Sequence, residues 1–182
     1  MQLPAGARRA ALGTHVVTSV GWLGAVAALL ALAVTAVRTG DAATQRALYI
    51  AMEVMGYTAL VPLSLASFAS GLVQSLGTPW GLLRHWWVIA KLAISVIATA
   101  VLLLYTSTLR LLGDAAASPG LVDDRTLLPS SSPLLHSTAA LLVLLVAAAL
   151  SGYKPKGRTR HGWRKQQQRR AEQSQILVKA AA

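Results

Sequence analysis

Four apolar stretches alternate with shorter polar segments along the chain, and a strongly basic segment follows the last of them. A helix rises about 1.5 Å per residue, so about 20 mostly apolar residues cross a hydrocarbon core about 30 Å thick. The pattern therefore predicts four transmembrane helices. They lie at about residues 15–37, 47–76, 86–108 and 134–153.

Each span is predicted to be helical because a backbone that faces lipid must satisfy its own hydrogen bonds. Pro62 falls inside the second span, where neighbouring helices and serine hydroxyls compensate the hydrogen bond that proline removes. The predicted fold is an all-α bundle of four transmembrane helices. It divides into an N-terminal segment of residues 1–14, a membrane domain of residues 15–153 with one long loop at 109–133, and a basic tail of residues 154–182.

The basic residues are unevenly distributed between the two sides of the predicted membrane. One side holds Arg8, Arg9, Arg84 and the nine Lys and Arg residues of the tail, whereas the other holds four Arg balanced by four Asp. Lys and Arg accumulate on the cytoplasmic side of membrane proteins, so both termini are predicted to be cytoplasmic. The richness in Ala, Leu and Arg is typical of high-GC bacteria. The predicted location is therefore a bacterial plasma membrane.

The composition agrees with a membrane protein and offers little for catalysis. Apolar residues make up 54% of the chain and charged residues 13%, about half the usual charged share. The net charge of +11 would suit nucleic acid, but the basic residues flank apolar spans and are better explained as topology signals. Without cysteine there are no thiolate sites. Since no common catalytic motif is present either, the sequence predicts no enzyme, no catalytic residue and no dedicated metal site.

Two charged residues lie within the predicted spans, where a charge costs at least about 2.5–3.5 kcal/mol on insertion scales. Lys91 is near the cytoplasmic boundary, and its long side chain is predicted to snorkel there. Glu53 lies about two turns inside the other boundary. Helical spacing places it on one stripe of the second span. The stripe is small and polar and is predicted to face the bundle interior. Its other members are Tyr57, Leu60, Ser64, Ser67 and Gly71.

His136 enters the fourth span at a depth similar to that of Glu53, and Tyr105 approaches the same level on the third. We therefore expect a hydrogen bond between Glu53 and His136, with Tyr105 nearby. Such a pair has two interpretations. It relays a proton or holds a cation, or it is a structural contact that fixes the register of the helices.

His15 and His85 begin the first and third spans on the same side of the membrane. Two histidines at one depth are candidate ligands of haem or a transition metal. The alternative is that a histidine near the headgroups has no special role. The basic tail is predicted to lie against anionic lipid headgroups. Its basic residues are Lys154, Lys156, Arg158, Arg160, Arg164, Lys165, Arg169 and Arg170, followed by Lys179.

The segment Ser70–Leu92, with Gly-Thr-Pro-Trp-Gly at residues 77–81 and Arg-His-Trp-Trp at 84–87, resembles an uncharacterised family of predicted four-helix integral membrane proteins of high-GC bacteria. The resemblance covers residues 14–152 and implies a four-helix fold without a known activity. More distantly, His15, Trp22 and Gly24, together with the segment from Gly81 to Lys91, resemble the membrane domain of copper-resistance D-type proteins. That resemblance implies copper handling.

Three functions stay open at this point. The first is a non-enzymatic membrane subunit or scaffold, acting as a homo-oligomer or with a membrane-protein partner. The second is a small proton-linked transporter centred on Glu53 and His136. The third is a haem- or copper-binding membrane protein that uses His15 and His85.

Overall fold

The computed structural model describes residues 4–77, 85–118, 130–153, 157 and 159–181. These residues form five helices. They are α1 (Ala5–Arg38), α2 (Ala42–Gly77), α3 (Trp86–Ala117), α4 (Ser132–Tyr153) and α5 (Arg160–Ala181). Helices α1 to α4 are long and apolar enough to cross a membrane. The prediction of a helical protein with four candidate membrane spans is therefore confirmed.

Helices α1 to α4 form an up-and-down bundle in which α1 and α3 each pack against both α2 and α4. Within the described residues, α1 and α3 are diagonal to each other, as are α2 and α4. Neighbours run antiparallel, because His15 near the start of α1 contacts Ser67 near the end of α2. Correspondingly, Gln45 at the start of α2 donates to the carbonyl of Ala36 at the end of α1. We call the side of the bundle where α1 begins and α4 finishes the termini end. The other side is called the opposite end.

Several helices are longer than the predicted spans. Helix α1 begins at Ala5 and not near residue 15, and α3 continues to Ala117 and not to residue 108. The predicted loop at 109–133 is therefore wrong in its first part. Leu109, Leu112 and Ala116 are buried with the side chains of α2 in the main apolar cluster. This packing stabilises turns of α3 that extend beyond the length needed to cross lipid.

Helix α2 starts earlier than predicted because Asp41 caps it. The Asp41 Oδ2 atom accepts from the Thr44 backbone N–H at 2.9 Å and from the Thr44 hydroxyl at 2.5 Å. Such a cap satisfies an N–H group that has no partner within the helix. The same hydrogen bonds from Thr44 hold the pKa of the Asp41 carboxyl below its ordinary value.

The middle of α2 winds as a π-helix over Gly56–Leu60, immediately before Pro62. There the Val61 N–H donates to the Gly56 carbonyl, five residues earlier. The wider turn corrects the predicted polar stripe, since Tyr57 is exposed whereas Gly56 is buried. A Cβ on Gly56 would lie 2.8 Å from Leu109 Cδ1, so a larger residue would require the buried Leu109 side chain of α3 to move.

Candidate functional site

A cluster of hydroxyl groups around His15 joins α1 to α2 at the termini end. His15 Nδ1 lies 3.1 Å from the Ser67 carbonyl oxygen and 3.2 Å from Ser70 Oγ. Because a carbonyl only accepts, Nδ1 is the protonated nitrogen in this arrangement. The other ring nitrogen faces Ser19 Oγ at 3.5 Å, and Ser19 Oγ is 2.8 Å from Ser67 Oγ. Since interhelical hydrogen bonds in membranes stabilise helix association, this cluster fixes α1 against α2.

The His15 ring lies directly over Gly71 of α2. A Cβ at position 71 would be 3.1 Å from His15 Cε1, which is tighter than ordinary contact. The glycine thus makes room for the imidazole. The contact explains why a half-buried histidine is accommodated at this point of the interface.

Lys91 connects α3 to α4 at the same end. Its Nζ donates to Ser151 Oγ at 2.5 Å, and Ser151 in turn donates to the Ala147 carbonyl at 3.0 Å. Ser151 is in the last turn of α4, so the ammonium is held near the boundary toward which it was expected to snorkel. It also lies within Coulombic range of the His15 ring. Two side chains on diagonal helices therefore both face the interior of the bundle.

Copper binding by His15 stays a prediction, and the hydrogen-bond partners of His15 among the described residues supply no further nitrogen or sulfur ligand. Copper is bound mainly by nitrogen and sulfur ligands, whereas the polar atoms bonded to His15 are hydroxyl and carbonyl oxygens. Met52 and Met55 are spaced as a Met-x-x-Met pair. Met52 is fully buried in the apolar cluster in the first half of α2, with Met55 packed against that cluster, whereas His15 contacts the last turns of α2. Among the described residues, no three His, Cys, Asp or Glu side chains converge as a metal site.

His85 precedes α3 and makes a tilted ring contact with Trp87, with centroids 6.3 Å apart. Aromatic side chains concentrate where a span meets the headgroups. This setting matches the alternative in which His85 is a boundary residue. Haem ligation by His15 and His85 stays a prediction.

Two tyrosines hold the start of α4 at the opposite end. The Tyr49 hydroxyl donates to the Ser130 carbonyl at 3.0 Å and accepts from the Ser130 N–H at 2.7 Å. Tyr105 Oη is 3.1 Å from Ser132 Oγ. These bonds tie the start of α4 to both α2 and α3. Sequence reasoning missed Tyr49, although the serine run at 130–132 offered polar partners for a buried tyrosine.

The structure brings His136 and Tyr105 together but does not bring Glu53 to either. The His136 ring stacks on Tyr105 at a centroid distance of 4.0 Å and an angle of 17°. His136 Nδ1 is 2.9 Å from the carbonyl oxygen of Ser132 and 3.4 Å from its hydroxyl. Because that carbonyl only accepts, His136 Nδ1 donates within α4. Among the described residues, the predicted bond between His136 and Glu53 is not formed.

The Glu53 carboxylate lies against Gly113 of α3, in the space that a Cβ on that glycine would fill. Tyr105 is eight residues earlier on α3, which is about 12 Å along the helix. Glu53 and His136 are thus at different levels, and the expectation of similar depth was wrong. Gly113 is in the last two turns of α3, so Glu53 lies toward the opposite end of the bundle.

One buried hydroxyl has no hydrogen-bond partner among the described residues. It belongs to Thr99, two turns along α3 from Lys91. A threonine hydroxyl in a helix commonly bonds to a carbonyl of the preceding turn, and this one does not. Leaving a buried hydroxyl unpaired costs about 1–3 kcal/mol, so Thr99 is a local weakness in the packing of α3.

The basic tail is largely helical, since α5 spans Arg160–Ala181. Arg164 and Arg170 on this helix are exposed. Lys154, Lys156 and Arg158 lie outside the described residues. Within the described residues, the backbone of α5 does not approach the other four helices, and the exposed Arg164 and Arg170 side chains are open to a surface outside the bundle.

No protein-family model, curated protein or solved structure matches this chain. The resemblances inferred from the sequence therefore stay predictions. The functional argument depends on the geometry of the bundle itself.

Proposed function

We propose that the protein is a multi-pass protein of a bacterial plasma membrane that acts as a non-enzymatic subunit or scaffold for membrane components. The observation that supports this proposal is that the interior polar side chains form hydrogen bonds between helices. His15 joins α1 to α2, Lys91 joins α3 to α4, and Tyr49 joins α2 to the start of α4. Hydrogen bonds between helices stabilise their association, and side chains used in this way leave the outer faces apolar.

The outer faces of α3 and α4 support the partner part of the proposal. Ile97, Val101 and Leu104 repeat at helical spacing on α3, and Leu104 is 76% exposed. Leu142 of α4 is also largely exposed. An apolar face of this kind contacts lipid or another membrane protein. In the proposed function, the α3 and α4 faces meet a partner or a second copy of the chain.

Photo-crosslinking in native membranes tests this proposal. A photoreactive amino acid is placed at Leu104 or Leu142, and at the similarly exposed Val17 of α1 for comparison. We expect protein adducts from Leu104 and Leu142, and the Val17 adducts show whether the protein contact extends to α1. An adduct of twice the chain mass identifies a homo-oligomer, and any other discrete mass identifies a partner. If all three positions give only lipid adducts, the subunit proposal is wrong.

The proposal places both termini in the cytoplasm, with the basic residues of α5 against anionic headgroups. The charge bias supports this orientation. A fluorescent or enzymatic reporter fused after Ala182 should be active only if the C-terminus is cytoplasmic. Activity of a periplasm-dependent reporter at the same position would reverse the proposed orientation.

The other two functions predict different results. A proton-linked transporter shows uptake in proteoliposomes that Glu53→Gln abolishes, whereas the scaffold shows no uptake to abolish. Glu53 is without a hydrogen bond to any described residue and lies at a different level from His136, which does not favour a relay through His136. A haem protein shows a Soret band that His15→Ala removes. Absorbance and metal content of the purified protein separate the cofactor proposal from the scaffold.

A further inference from the structure

The Lys91 ammonium is a part-buried cation with unused hydrogen-bonding capacity. A lysine ammonium has three donors. Among the described residues it makes one hydrogen bond, to Ser151 Oγ. Ser151 uses its own proton on the Ala147 carbonyl, so it accepts from Lys91 and fixes the direction of the side chain. Two donors of the ammonium stay available to a ligand.

Within the part of the chain that the structure describes, no carboxylate is paired with this cation. Residues 1–40, 54–113 and 125–171 contain no Asp or Glu. Among the described residues, Asp41, Glu53 and Asp114 lie toward the opposite end of the bundle, and Glu172 is on α5, whose backbone does not approach it. The titratable side chain within electrostatic range of Lys91 is instead His15, from α1. A part-buried charge without a counter-ion is unfavourable, so the site favours an anion.

The level of the site corresponds to lipid headgroups. Trp86 at the start of α3 is 62% exposed, and Tyr153 at the end of α4 is 87% exposed. Such amphipathic rings mark the interface between hydrocarbon and headgroups. Lys91 is about one turn beyond Trp86, and Ser151 is two residues before Tyr153. The ammonium therefore lies just below the depth at which phospholipid phosphates are found.

We propose that Lys91, oriented by Ser151 and bordered by His15, binds a phosphate group at the termini end of the bundle, and that an anionic phospholipid supplies it. Basic pockets between transmembrane helices near the cytoplasmic side are suited to such headgroups. The lipid's negative charge neutralises Lys91, and its oxygens accept from the two available donors. This site does not depend on whether the bundle has a protein partner.

The test is lipid binding by the purified full-length protein, measured by native mass spectrometry during titration with phosphatidylglycerol. Lys91→Gln removes the charge and should weaken the tightest binding step at least about tenfold, as expected for loss of a hydrogen bond to a charged group. The matched control is Arg110→Gln, which removes an exposed charge from the same helix at the opposite end. It should bind like the wild type. The basic tail is present in all three proteins, so its contribution is the same.

Phosphatidylcholine and inorganic phosphate distinguish the source of the phosphate. Competition by millimolar inorganic phosphate, without specific lipid binding, would show a free-anion site and overturn the lipid part of the proposal. Equal binding of phosphatidylglycerol by the wild type and Lys91→Gln would overturn the site.

A second measurement uses the wild type alone, so it does not depend on whether the variant folds. Phosphatidylglycerol, and not phosphatidylcholine, should protect Lys91 from an amine-reactive reagent, and labelling that is unaffected by either lipid would also overturn the site.

Discussion

Replacing Gly113 by alanine should disrupt the contact between α2 and α3 at Glu53. The new Cβ would overlap the Glu53 carboxylate and lie 2.9 Å from Glu53 Cβ. The carboxylate is able to rotate away, but the Glu53 Cβ is fixed to the backbone of α2. Relief of that contact requires the two helices to separate by about half an ångström. Overpacking of this kind costs about 1–3 kcal/mol.

The matched control is Gly24→Ala on α1, where a Cβ would meet nothing within 4 Å. Both substitutions gain the same helix propensity, so the difference between their stabilities isolates the steric effect at Gly113. Reversible unfolding in mixed micelles, followed by circular dichroism, should show Gly113→Ala less stable than Gly24→Ala by about 1–3 kcal/mol. Adding Glu53→Ala should recover part of the difference, because it removes the carboxylate but keeps the Cβ. Equal stability of the two alanine variants would refute the placement of Glu53 over Gly113.

Three further outcomes follow from the same structure. Thr99→Val should raise the stability by about 1 kcal/mol, since it removes a buried hydroxyl that has no partner among the described residues; a loss of stability in thermal unfolding would contradict this. Tyr49→Phe should lower the stability by about 1–2 kcal/mol because its two hydrogen bonds to Ser130 are lost. Tyr57→Phe is the control and should have a smaller effect, since the exposed Tyr57 hydroxyl makes one bond of 3.3 Å. Asp41→Ala should destabilise the protein at neutral pH. The pKa of Asp41 is lowered in the fold, so its contribution is present above the ordinary value of 3.8 and is lost as the pH falls through the folded-state value; a stability gap that persists in strong acid would show that the cap does not need the carboxylate.

The apolar pattern predicts the four spans well because crossing lipid imposes a minimum length on each of them. It does not predict where each helix ends. Ala115 and Ala116 are buried by contacts between helices. Such contacts cannot be predicted from the hydropathy of the segment. The start of α2 is different, since Asp41 followed by Thr44 is a local capping signal that a sequence contains.

The expected pairing of Glu53 with His136 failed for two physical reasons. Sequence position gives an approximate depth, but it does not show which helices are neighbours, and α2 and α4 are diagonal in this bundle. Depth itself was misjudged because α3 continues past residue 108, so Glu53 lies level with Gly113, whereas His136 lies level with Tyr105. By contrast, the inward direction of Ser64 and Ser67 was predicted correctly, since both lie on one side of the π-turn and regular helical spacing applies there.

The π-turn at Gly56–Leu60 allows α2 to change its main neighbour along its length. The half before the turn contacts α3 most, and the half after it contacts α1 most. One surplus residue puts the two halves out of phase by roughly 100°, the rotation of a single α-helical step. Helix α2 therefore packs against α3 with one face before the turn and against α1 with a different face after it. The extra residue of the π-turn sets the angle between these two faces.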